Sequence, residues 1–228
     1  MSNLADTMNA ARNAAQNLPA TTGSDATDVA VTTAPAATSF STGLDDFLTG
    51  GGIRPDKWLQ VKDAGIRIDR DDKGYITEFT GDLDLGEVLL FWGARAEFAG
   101  NNVQYTKSYD GVTTTKGENF NQVLADFKAN SMKNADPYRG ADIQVELTED
   151  VVQGKATIPA GTKVGYSTSI TGFAPFQSFL ASMVKQGKAR SGPGGTIVGE
   201  VVRVKVTHEV RTNKANQDYG ILQFALAD

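Results

Sequence analysis

The 228-residue chain contains no cysteine and a single histidine, His208. The first absence excludes disulfides, thiolate metal sites and cysteine nucleophiles. The second excludes multi-histidine metal centres and limits any triad to one base. No apolar run reaches the length of a membrane span, and the N-terminus lacks the basic region and apolar core of a signal peptide. These absences read as a soluble, cytoplasmic protein without membrane contact. Phosphate-loop chemistry is missing too: the glycines of residues 192–195 are followed by neither Gly-Lys-Ser/Thr nor a helix start. No serine sits in a Gly-x-Ser-x-Gly elbow, and the carboxylate pairs Asp71/Asp72 and Glu149/Asp150 are sequence neighbours that diverge on a strand. No catalytic residue, metal ligand or cofactor is assigned, and the chain is read as a non-enzyme.

The net charge of −5 is unevenly placed. Residues 1–52 carry Arg12 against five aspartates, whereas residues 185–214 hold seven Lys or Arg against Glu200 and Glu209. A polyanion partner depends on such a local patch rather than on global charge. Residues 1–52 are rich in Ala, Thr, Ser, Asp, Gly and Pro with almost nothing to bury, and read as a flexible low-complexity arm. Within it the acidic and apolar segment from Leu44 to Leu48 is a candidate for docking to a protein partner, or an N-terminal turn packed on its own domain.

Residues 53–228 read as one strand-rich domain. In residues 196–226, Val202, Val204 and Val206 alternate with Arg203, Lys205 and Thr207, so a strand there turns valines to one side and cations to the other. Alternation resumes from Tyr219 to Leu226, and the polar run between Thr212 and Asp218 supplies a turn, which predicts a hairpin. Its outer face carries Arg203, Lys205 and Tyr219, with Arg211 and Lys214 near the loop. Lys188 and Arg190 lie in a basic flexible loop leading into it. Cations around an aromatic suit a single nucleic-acid strand, charge for phosphates and a ring for a base, while an ordinary solvated hairpin is the alternative. Tyr105, Lys107 and Tyr109 alternate in the same way and share a strand face, either for binding or for packing on a helix. Trp92, in the apolar run 88–92, is a further candidate ring.

Two helices are predicted. Phe120, Val123, Leu124 and Phe127 form one apolar stripe within residues 118–133. Phe176, Phe179, Leu180, Met183 and Val184 form another that follows Pro175 and stops near Gly187. The order, short strands with two inserted helices and no strand–helix alternation, favours a mainly β (α+β) fold, an OB-like small antiparallel barrel or a sandwich. The acidic turn 69–74 lacks calcium-loop spacing and reads as a hairpin turn.

The pattern of residues 201–224, an alternating strand, Arg-Thr-Asn-Lys, a polar loop, Tyr-Gly and a second alternating strand, resembles the last hairpin of phage single-stranded-DNA-binding proteins with an OB-like barrel. The low-complexity arm followed by three glycines and the strand 58–68 resembles the opening of some phage replication-associated proteins. Bacterial members of that class end in an acidic, Phe-tipped docking tail, whereas this chain ends Ala-Leu-Ala-Asp. The resemblance implies a sequence-independent binder of single-stranded DNA, acting in phage replication or recombination and working as a homo-oligomer. The competing expectation is a phage virion component, a capsid decoration or tail protein, with the arm draped over neighbouring subunits.

Overall fold

The computed structural model describes residues 52–227. The arm and the Leu44–Leu48 segment lie outside the described residues. The chain opens with β1 (Lys57–Trp58), β2 (Gln60–Lys62) and β3 (Gly65–Arg67), then β4 (Glu78–Asp84) and β5 (Leu89–Phe98). β6 (Asn102–Ser108), helix α1 (Phe120–Asn130) and β7 (Tyr138–Leu147) follow. Next come β8 (Val151–Gln153), β9 (Ala156–Ile158), β10 (Lys163–Ser167) and helix α2 (Phe173–Lys185). The chain closes with β11 (Ala189–Ser191), β12 (Ile197–Gly199), β13 (Val201–Thr212) and β14 (Asp218–Leu226). The fold is mainly β with two helices, as the residue pattern indicates.

One sheet dominates, in the order β1-β10-β7-β4-β13-β14 with β5 and β6 branching from β7. The branch has a local cause. β4 and β5 both run antiparallel along the same edge of β7, Leu83 opposite Val145 and Leu89 opposite Asp142. Between them a 3-10 turn at Leu85–Glu87 is capped by Asp84 Oδ1, which accepts from Gly86 N–H at 2.8 Å. Leu85 is fully buried there, so the bend is anchored by an apolar side chain. β13 pairs with β4 before the turn; beyond it β5 takes β6 on its free edge, and the sheet curls into a half-barrel.

The inner face is packed by alternating residues of four strands, Phe79 and Leu83, Ile143, Val145 and Leu147, Val164, and Val202, Val204 and Val206, with Phe176, Phe179 and Met183 of α2 against them. α2 stops where expected: Gly187 takes a left-handed φ of 74°, and Lys188 N–H returns to the Met183 carbonyl at 2.9 Å. A smaller core lies under α1, where Ala94 and Ala96 leave room for Phe127, whose ring meets Phe98 edge-on at 5.9 Å. α1 starts at Asn119, whose side chain accepts from Gln122 N–H.

Two sequence expectations are corrected. Residues 138–140, whose Pro137 and Gly140 surroundings read as the turn that ends the first helix, belong to β7; Tyr138 covers Gly93 and Phe91 covers Gly140, where an added Cβ would meet the ring at 2.7 Å and 2.2 Å. Paired glycine and aromatic positions across strands hold a segment in the sheet that looks like a turn on its own. The basic loop at Lys188 and Arg190 is ordered, because residues 189–191 pair with residues 197–199 as a small hairpin. Within the apolar run 88–92, Val88 and Phe91 are buried and Trp92 is exposed. No helix among the described residues is long and apolar enough to cross a membrane.

Burial pushes the Tyr166 hydroxyl up to about 12 and, with the Asp142 carboxylate beside it, moves Tyr109 upward as well. Unfolded tyrosines ionise near pH ~10 while these two stay protonated. The unfolded state therefore binds fewer protons above that pH, and the associated stability, complete below it, is lost as pH rises. Urea midpoints should fall between pH 9 and pH 11, less steeply in Tyr166→Phe.

Candidate nucleic-acid interface

The outer face of the sheet holds Arg203, Lys205 and Arg211 of β13 and Tyr219 of β14, while Lys214 lies in the loop between the two strands. Strand β13 pairs with β14 from Val204–Leu226 to Thr212–Asp218, placing Arg211 directly opposite the half-buried Tyr219. The valines at 202, 204 and 206 are buried, and Arg203 and Lys205 are exposed on the other side. That side is not left positive. Arg203 makes a two-pronged contact with Asp82, Nε to Oδ1 at 3.0 Å and Nη2 to Oδ2 at 3.2 Å. Lys205 meets Glu78 at 3.0 Å, Arg211 meets Glu209 at 2.8 Å, and Lys188 lies 3.9 Å from Glu200. The pairing with Asp82 holds the Arg203 guanidinium above its ordinary pKa, and Glu209 does the same for Arg211.

The register explains the match. Arg203 faces Asp82, Asp82 faces Glu146 and Glu146 faces Lys163, a row of opposite and like charges across four strands. Asp82, Asp84, Glu87 and Glu146 line a shallow cleft of about 150 Å³ beside Lys163, so the centre of the outer face leans acidic. Arg190 and Lys214 are exposed with no carboxylate at ion-pair distance among the described residues. His208 is half-buried at the rim, its Nε2 2.7 Å from the Lys62 carbonyl.

The second predicted cluster divides. Lys107 and Tyr109 turn inward to Asp142, which is 1% exposed. Lys107 Nζ donates to Asp142 Oδ1 and Oδ2 at 2.8 and 2.9 Å and to Ser167 Oγ at 3.0 Å, and sits 4.3 Å above the Phe91 ring. The Tyr109 hydroxyl donates to the same carboxylate. These two residues form a structural knot joining β6, β7 and β10. Tyr105 remains outside, 59% exposed, where Arg95 Nε donates to its hydroxyl at 3.2 Å and the guanidinium lies 5.9 Å from the ring centre. Glu97 pairs with both Arg95 and Lys133, which holds its carboxyl below the usual range, the Lys133 hydrogen bond being the larger cause.

The sequence does not single out Arg139. Its guanidinium stacks 4.5 Å from the centre of the Trp92 ring, and no carboxylate reaches it among the described residues. Trp92 is 37% exposed. The two are paired across β5 and β7, which fixes them on one face, the one opposite Arg95 and Tyr105. The signal that could have found the pair is the aromatic–glycine pattern around residues 91–93 and 138–140, which aligns the two strands. Among the described residues no three or more His, Asp or Glu side chains are arranged so that they could hold a metal ion.

Chemically, the β5–β6–β7 lobe offers two partly exposed rings, one on each face, with a guanidinium stacked on each, an arrangement that accepts another planar ring or an anion. Comparison of the chain with protein-family models, curated proteins and solved structures gives no match.

Proposed function

We propose that the protein is a non-catalytic, sequence-independent single-stranded-DNA-binding protein of the kind used in phage replication or recombination, its curled sheet being an OB-like barrel that works as a homo-oligomer. The observation that carries this reading is the guanidinium–aromatic stack of Arg139 on Trp92, whose cation meets no carboxylate among the described residues; the second stack, Arg95 on Tyr105, lies on the opposite face of β5 and its guanidinium is paired with Glu97. An indole of this exposure presents a π-face to a base, and the Arg139 guanidinium beside it reaches a phosphate. Arg190 and Lys214 are further exposed cations with no carboxylate at ion-pair distance among the described residues. The hairpin cations, engaged with carboxylates, contribute less than their number indicates, since a phosphate must first displace Asp82, Glu78 or Glu209. A labelled oligothymidylate at low salt should raise fluorescence anisotropy on adding the protein, and the gain should fade as salt rises. A flat titration at low salt contradicts the reading.

One observation favours a second reading. A sheet face on which Arg203–Asp82, Lys205–Glu78 and Arg211–Glu209 cancel is close to neutral and suits contact between protein subunits. A virion component of this kind co-purifies with particles and ignores oligonucleotide.

A further inference from the structure

Beside the Trp92–Arg139 stack lies a cleft of about 240 Å³, walled by Phe91, Phe173 and the turn at Gly194 and Gly195. It is smaller than the ~300–1,000 Å³ of sites that enclose a drug-sized molecule, so it admits one ring system and little more. Its chemistry is specific. Trp92 of β5 and Phe173 at the start of α2 supply apolar walls, Arg139 supplies a cation with no carboxylate at ion-pair distance among the described residues, and Asp110, whose carboxylate accepts from Ser108 Oγ and from the Val112 and Thr113 amides, also lines the cleft. The glycine turn supplies backbone: Gly194 and Gly195 have left-handed φ of 65° and 80°, and a Cβ at either would meet nothing within 4 Å. A wall of backbone without side chains lets a planar ligand approach closely. Trp92 forms the side of this cleft and also the platform under Arg139, so a ring sliding in stacks on the indole while its charged substituent meets the guanidinium.

We infer that this cleft is a subsite for one unpaired nucleobase of a bound strand, with the adjoining phosphate on Arg139, and that it is the element that makes the protein prefer single strands over duplex. The inference rests on the single-stranded-DNA reading and adds to it the place where strandedness is sensed. A base inside a duplex is stacked on both faces and paired along its edge, and offers nothing to a cleft of one-ring width. An exposed platform such as Tyr105 does not discriminate in that way.

Trp92 and Trp58 are the two tryptophans of the chain, so Trp58→Phe leaves Trp92 as the sole indole reporter. In that background, oligothymidylate should quench the emission, and a blunt hairpin duplex at equal nucleotide concentration should not. Thymidine monophosphate at that nucleotide concentration should quench far less than the strand, because it lacks the neighbouring contacts. Trp92→Ala should weaken oligothymidylate binding by about 5- to 150-fold, and Arg139→Gln should weaken it while lowering the salt slope by about 0.7. Both sites are at the surface, and unchanged urea midpoints would show that the variants fold. Strand binding that is plain by anisotropy yet leaves Trp92 emission and the Trp92→Ala affinity unmoved overturns the subsite and spares the wider reading. Equal quenching by monophosphate and strand overturns the strand as occupant. No binding at low salt in any form of the protein overturns both.

Discussion

Replacing Asp142 by alanine is expected to lower the unfolding free energy by about 3 kcal/mol, near the lower end of the range for breaking a buried ion pair. The carboxylate is 1% exposed and receives Lys107 through both oxygens and the Tyr109 hydroxyl besides. Its removal leaves a lysine ammonium over the Phe91 ring and a phenol without an acceptor. The Lys107 side chain keeps 26% of its exposure, so water solvates part of the orphaned charge, which places the loss below the upper limit. Lys107→Met alone leaves the opposite charge stranded in a more buried position and should cost at least as much. The double replacement Lys107→Met with Asp142→Leu should recover most of the loss, since a buried pair often does no better than apolar groups of similar volume. Urea denaturation of the three variants measures this directly. Once folded, Lys107→Met should bind oligothymidylate like the unmodified protein, because this lysine already has its anion.

Truncating Phe176 to alanine is expected to cost about 3–5 kcal/mol, the range for emptying a large aromatic site in a packed core. Phe176 is fully buried and meets Phe224 edge-on at 5.2 Å and Phe179 at 6.2 Å. The ring joins α2 to the last strand, so the cavity would open between the helix and the hairpin rather than inside one element. A marginally stable domain loses much of its total stability by such a change. The measurement is again the urea midpoint, with Phe176→Leu as the milder comparison. A loss under about 1 kcal/mol would mean that α2 closes over the gap, contrary to the tight interior described above.

The elements that the sequence makes legible are those whose information is local. Strict alternation of Val202, Val204 and Val206 with polar neighbours defines β13, and the three- and four-residue spacing of Phe176, Phe179 and Met183 defines α2. Parity also places Arg203, Lys205 and Tyr219 on the outward face. What parity omits is who sits opposite. Asp82 is 121 residues from Arg203, and only the register of β4 on β13 brings them together. The same reason hides Asp142 from Lys107 and Trp92 from Arg139. Each strand alone shows a cation or a ring, and the pairing across strands decides whether it is neutralised, buried or available. The segment at 138–140 reads as a turn because Pro137 and Gly140 are strong local punctuation, and the tertiary fit of Tyr138 over Gly93 overrides it. Gln153 is missed for a similar reason: it is fully buried and binds the backbone of Ile68 and Asp69 through both ends of its amide, a role invisible without the partner segment.

The central claim is that the β5–β6–β7 lobe, and not the ion-paired hairpin, grips the strand. The most direct test is the salt dependence of oligothymidylate affinity in the lobe variant Arg139→Gln and in the hairpin double variant Arg203→Gln with Lys205→Gln. Each phosphate contact contributes about 0.7 to the slope for a single strand. The lobe variant should therefore lose about 0.7 from the slope and bind more weakly, while the hairpin variant keeps slope and affinity close to those of the unmodified protein. The reverse result, a hairpin variant with the flattened slope and a lobe variant without change, would contradict the account.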